Sequence, residues 1–122
     1  MTEKMTIWGR VFNINVIYDV FSDEEILSEQ KEAFEAFMLK KSELLSDSTE
    51  VENYCIKHNR KEIGDSISNI FKYVIPSSLL VKRDVKKRRV ALLCNYRFDE
   101  EHGLALVFEN EKLLLIGTQD DV

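Results

Sequence analysis

From Thr6 to Val20 the even positions Trp8, Phe12, Ile14, Val16, Tyr18 and Val20 are apolar, Arg10 apart, while Asn13, Asn15 and Asp19 fall among the odd ones. A period of two predicts strand, because successive side chains of an extended chain point to opposite faces. The stretch is either one long strand or two joined near Gly9 or Asn13. The period then changes. Ser22 and Glu25 form an S-x-x-E capping box, and Ile26, Ala33, Phe34, Phe37, Met38, Leu44 and Leu45 recur at near-helical spacing. Together they predict a helix over residues 22–45. Asp47 with Glu50 repeats the cap ahead of a short second helix, whose inward stripe is Val51, Tyr54, Cys55 and His58 and which ends near Asn59. Ile67, Ile70, Phe71 and Val74, at i, i+3, i+4 and i+7, predict a third helical piece that Pro76 stops, since proline disfavours helical geometry in the residue before it.

Beyond Pro76 the pattern reads as strands over residues 78–82, 89–98, 104–109 and 113–116, with Asn110-Glu111 as a tight connection between the last two. The run Val90-Ala91-Leu92-Leu93-Cys94 is apolar without alternation, which places it centrally with both faces covered. The last three strands form an antiparallel meander. The expected fold is therefore α+β: an antiparallel sheet of about five strands, the N-terminal strand joined to the C-terminal meander, with about three helices on one face.

Composition narrows this picture. A chain of 122 residues that is 44% hydrophobic suffices for one domain with one core, spanning residues 1–122. No run approaches the ~18 apolar residues of a membrane span. The first residues lack the basic and apolar regions of a secretory signal, so a cytoplasmic location is expected. Cys55 and Cys94 have no metal-like spacing and read as packed thiols. Seventeen basic residues against twenty-two acidic ones leave a formal charge of -5, which argues against broad nucleic-acid binding. The charge is uneven: Lys82 to Arg89, "KRDVKKRR", is strongly basic, while residues 22–52 are acidic.

Candidate chemistry collects near the C-terminus. Asp99, Glu101 and His102 offer two carboxylates and an imidazole, residue types that ligate transition metals. Adjacent residues in a loop diverge, however, whereas metal pairs come from i, i+4 on a helix or i, i+2 on a strand. The competing reading is a turn in which Gly103 takes a positive φ and Asp99 accepts backbone N–H groups. If the last two strands form a hairpin, its open ends meet, so Gly103 and Gly117 become neighbours and Gln119 and Asp120 join the cluster. No nucleophile elbow, P-loop or dinucleotide fingerprint is present, and Ser77-Ser78 lacks an identifiable base. "KRDVKKRR", with Asp84 at a turn, reads as a solvated hairpin tip, because no aromatics interleave with its cations. The acidic helix residues Glu24, Glu25, Glu32 and Glu35 are either solvated or a patch for a basic partner.

"WGRVFNINV", "SEQKEAFEAFMLKKSELL", "YVIPSSLLV" and "LLCNYRFDEEHGLALVFENEKLLLIGTQD" together resemble an uncharacterised bacterial domain family over nearly the whole chain. Its pattern is an opening W-x-G strand, a Q-K-x-A-F helix, a P-x-x-h-x-h strand, and a terminal D-x-E-H-G with G-x-Q-D. The matching positions are Trp8, Gly9, Gln30, Ala33, Phe34, Pro76, Asp99, Glu101, His102, Gly103, Phe108, Gly117, Gln119 and Asp120. The sequence departs from it at Trp8-Gly9, which lacks a spacer, at Tyr96-Arg97-Phe98, where a tryptophan is usual, and at Glu111, where a glycine is. The resemblance implies no assigned reaction and no cofactor. By analogy with small acidic immunity proteins, it suggests a non-enzymatic, inhibitor-type module for a basic, toxin-like protein partner. The alternative is a metal or small ligand held at the DEEHG/GTQDD corner.

Overall fold

The computed structural model describes residues 1–122. In chain order the elements are β1 (Thr2–Ile7), β2 (Arg10–Tyr18), α1 (Ser28–Leu44), α2 (Thr49–Ile63), β3 (Val74–Val81), β4 (Arg89–Tyr96), β5 (Leu104–Glu109) and β6 (Lys112–Gly117). Short 3-10 turns lie at Ile70–Lys72 and Gln119–Asp121. The six strands form one sheet in sequence order, antiparallel throughout except that β2 runs parallel to β3. That parallel pair requires a crossover, which α1 and α2 supply.

The class is α+β as the pattern predicts, but the counts change in two places. The N-terminal stretch is two strands, because Trp8 and Gly9 take φ of 50° and 85° and fold it into a tight hairpin. A positive φ is costly for a residue as large as tryptophan. It is held there by burial, by the bond from Trp8 N to Leu45 O (2.9 Å) and by ring contact with Phe71 at 5.9 Å. The third helix is only the Ile70–Lys72 turn, which Asn69 caps through Phe71 N. Val74 and Pro76 belong to β3 instead, where Val74 and Ile75 pair with Tyr96 and Asn95. Pro76 sits at an irregularity in that pairing and before the Asn15–Ser78 start of the pairing with β2, so its missing N–H breaks no ladder bond to β2.

α1 begins at Ser28, not at the Ser22 box. Glu24 Oε1 accepts from Phe21 N (2.8 Å) while Glu24 N donates to Phe21 O, closing a turn that displaces the expected cap. Gln30 supplies the observed one: its Oε1 accepts from Leu27 N (3.0 Å), and its Nε2 donates to Asp19 O (3.1 Å) and Val81 O (3.2 Å). Completely buried, Gln30 ties the start of α1 to the ends of β2 and β3. α2 runs past Asn59 to Ile63, with Asn59 itself out of helical geometry, and His58 is exposed on it, its ring tilted against Tyr54 at 4.1 Å.

Alternate strand residues build the core with one face of each helix. Val90, Leu92, Cys94 and Tyr96 of β4 and Leu104, Leu106 and Phe108 of β5 join Ala33, Phe37, Val51 and Cys55. Phe37 meets Phe108 edge-on at 5.2 Å, and each such side chain contributes about 1.5–3 kcal/mol by burial. On the opposite, helix-free face Ala91, Ala105 and Val107 are buried too, small or branched residues flanked in register by Leu80, Leu93 and Leu115. No helix is long and apolar enough to cross a membrane.

Candidate functional site

β4 and β5 are joined by a compact turn that begins at Asp99 and ends at Gly103. Asp99 N donates to Tyr96 O (3.2 Å) and Gly103 N to Asp99 O (2.8 Å), and Gly103 adopts φ 63°. Asp99 Oδ1 accepts from His102 N at 3.1 Å and lies 3.0 Å from His102 Nδ1. The β5–β6 register sets Ala105 opposite Gly117, which brings the chain end over this turn. There Gln119 N donates to His102 O (2.9 Å) and Gln119 Nε2 to Cys94 O (3.3 Å). His102 Nε2 faces Asp120 Oδ2 at 3.7 Å, an ion-pair separation open to solvent. Asp99, His102, Gln119 and Asp120 thus meet in one corner.

Closeness demands both Gly103 and Gly117, and Gly103 needs its positive φ as well. A Cβ on Gly103 would sit 2.5 Å from Gln119 Nε2 and 2.7 Å from Cys94 O, and one on Gly117 would strike the carboxylate of Asp121. That carboxylate accepts from Thr118 N (2.8 Å) and holds the final 3-10 turn against the strand end.

Electrostatics follow the bonds. Donation from the backbone and imidazole of His102 holds the Asp99 carboxyl below its ordinary range. The hydrogen bond and charge of Asp99 raise the imidazole of His102, to which Glu101 and Asp120 add smaller contributions. The pair closes the turn with a carboxylate–imidazole contact, both side chains partly exposed. Glu101 is exposed and makes no ion pair or hydrogen bond, and nowhere do three or more His, Cys, Asp or Glu side chains converge as a metal set. Neither of the molecule's two hollows reaches the corner: one, of about 360 Å³, lies along Glu109–Leu114, and the other, of about 110 Å³, lies between Glu29, Glu32 and residues 84–88.

The charged surface differs from the sequence expectation. Almost the whole basic block is paired within the chain: Lys82 with Asp19 (3.2 Å), Arg83 with Glu24 (3.3 Å), Lys87 and Arg89 with Glu109 (3.5 and 2.7 Å), and Arg88 with Glu111 (2.8 Å). Asp84 makes the expected turn, accepting from Lys86 N and Lys87 N. The block lies at the β3–β4 hairpin tip, between two interior strands. Glu24 is accordingly committed to Arg83, which also donates to Glu25 O. Glu25, Glu32 and Glu35 stay exposed without an ion pair, although Glu32 lies near enough to Arg88 to raise its pKa.

Two features escaped the sequence pattern. Gln30 shares a stripe with Ala33 and Phe37, and a polar residue on an apolar stripe is the signal that marks it. Tyr96 Oη donates to Asn59 Oδ1 at 2.6 Å, fastening the bend in α2 to the end of β4, and its burial beside Cys55 raises the phenol. No single-residue pattern announces that pair. Ser77 has no activating base, and its hydroxyl donates to Leu93 O (3.1 Å).

Neither the curated proteins nor the solved structures contain a match to this chain. The model of one family does match, over residues 2–122, a span that includes the β1–β2 hairpin, Gln30 and the whole DEEHG/GTQDD corner. The chain therefore belongs to the domain of unknown function family DUF6985.

Proposed function

We propose that this chain is a non-enzymatic protein-binding module of inhibitor or immunity type, which docks on a basic partner through the acidic start of α1 and the loop before it. The observation that carries the reading is the division of charge. Five of the six cations in residues 82–89 are cancelled by carboxylates of the same chain, whereas Glu25, Glu32 and Glu35 remain exposed without an ion pair. The uncancelled charge, like the formal -5 of the whole chain, is acidic. Such a surface accelerates encounter with a basic partner and disfavours acidic ones, while neighbouring apolar side chains supply affinity. Phe21, 76% exposed, and Ile26 lie in the same segment.

The test is affinity capture from the native host with wild-type protein and with the Glu25→Lys/Glu35→Lys double variant, followed by quantitative mass spectrometry. A basic protein retained near one-to-one by the wild type and lost by the variant supports the reading, as does a toxin encoded beside the gene. The absence of any stoichiometric protein, or equal retention by both baits, removes it.

A further inference from the structure

The two edges of the sheet are unlike. β1 carries Glu3 and Lys4 along its length, charges that discourage strand addition, whereas β6 reads Lys-Leu-Leu-Leu-Ile-Gly. Leu113, Leu114 and Leu115 are 39%, 49% and 38% exposed, and beyond them nothing pairs with the outer side of β6. Opposite Val107 and Phe108 the β5–β6 register slips by one residue, so Leu114 is the unpaired extra residue and the most exposed of the three.

We infer that β6 is a homodimer contact, in which the β6 strands of two copies meet antiparallel about a two-fold axis near Leu114. Three features select a second copy as the occupant. The edge is polarised: Lys112 at its start makes no ion pair within the chain, while Asp120 and Asp121 follow its end, both exposed. Antiparallel self-pairing sets each Lys112 toward the partner's acidic turn, twice over, whereas parallel pairing would bring like charges together. The hollow along Glu109, Asn110, Lys112, Leu113 and Leu114 lies on the same half of the edge as Lys112, so the two-fold lays the partner's Leu115–Ile116 segment over it. Finally, the contact is closed: it uses up both β6 edges and leaves only the charged β1 edges outside, so assembly stops at two. Contact through a single bulged strand buries less than the 1,200–2,000 Å² typical of stable complexes, which makes this a weak dimer dependent on concentration. The inference stands apart from the acidic docking surface, which lies on another part of the molecule.

Sedimentation equilibrium over a wide concentration range tests it, with Leu114→Lys and, as a control on an exposed leucine of α1, Leu39→Lys. The expected result is a reversible dimer for the wild type and for Leu39→Lys, and a monomer for Leu114→Lys. Lys112→Glu should weaken the dimer at least several-fold, and adding Asp120→Lys should restore it. Hydrogen exchange of the wild type alone covers the case in which Leu114→Lys fails to fold: β6 amides should gain protection as concentration rises, with β1 amides unchanged. A wild type that stays monomeric throughout, a dimer that survives Leu114→Lys, or protection of β6 that is independent of concentration overturns the proposal.

Discussion

Replacing Gly103 with alanine asks whether the corner is a structural lock. The residue adopts φ 63°, where a β-carbon costs about 1–2 kcal/mol. The new methyl would also lie 2.5 Å from Gln119 Nε2 and 2.7 Å from Cys94 O. The Gln119 amide can swing aside, giving up its bond to Cys94 O for about 1 kcal/mol. Cys94 O cannot retreat as easily, because β4 is paired on both sides, with Pro76 and Leu104 opposite Cys94, and the residual overlap costs about 1–2 kcal/mol. The sum is about 3–5 kcal/mol, and at roughly 3–5 °C per kcal/mol for a domain of this size the midpoint falls by about 9–25 °C. Gly9 provides the control: at the tip of the β1–β2 hairpin it has φ 85° with nothing within 4 Å of a new Cβ, so Gly9→Ala carries backbone strain alone. Urea and thermal unfolding of both variants give the comparison, and repeating Gly103→Ala in a Gln119→Ala background should recover the part due to the Gln119 amide. A Gly103→Ala penalty within about 1 kcal/mol of Gly9→Ala would refute the close-contact argument.

Tyr96→Phe removes the donor of the 2.6 Å bond to Asn59 and should lower stability by about 1 kcal/mol in urea unfolding, while Tyr73→Phe, whose hydroxyl makes no such bond, should cost less. His102 should titrate above the ordinary imidazole range in an NMR pH series and fall back toward it in Asp99→Asn. Its share of stability is then fully present below the ordinary imidazole value and fades as pH rises through the raised one. The share due to Asp99 runs the other way, present above the usual carboxylate range and lost as pH falls through its depressed value. An unshifted His102 midpoint in the wild type would contradict the pairing. Burial pushes the Cys55 thiol up to about 11 and Cys94 higher still, so neither should react with a thiol reagent at mildly alkaline pH until the protein unfolds. Rapid modification of either in the native state would count against that packing.

The strands were the most legible part of this sequence because their apolar period survives in the fold: residues 104–109 are β5, and the Asn110-Glu111 connection is a hairpin turn with φ of 48° and 59°. Helix starts were less so. An S-x-x-E spacing fits a capping box, but at Ser22 the glutamate tier lost to a turn and to Arg83, which arrives from 58 residues away. Likewise Ile67, Ile70, Phe71 and Val74 keep helical spacing, yet Val74 gains more as a strand partner of Tyr96. The meeting of the β6 end with the Asp99–Gly103 turn followed from hairpin geometry alone, but the register sets Gly117 opposite Ala105, so it is Gln119 that lies against Gly103. What the meeting does, a His102–Asp99 contact with Gln119 reaching Cys94 O, depends on side-chain directions that spacing does not encode. The cancellation of the basic block was illegible for the same reason, since its partners come from two distant regions, Asp19 and Glu24 between β2 and α1 and Glu109 and Glu111 at the β5–β6 turn.

Hydrogen exchange on the complex with the captured partner tests the proposed docking surface most directly, because it reports where the partner sits and not only whether it binds. The acidic-surface account predicts new protection over residues 19–35, weakened by Glu25→Lys/Glu35→Lys and by added salt. Protection confined to β6 or to the Asp99–Gly103 corner, unaffected by salt, would contradict it.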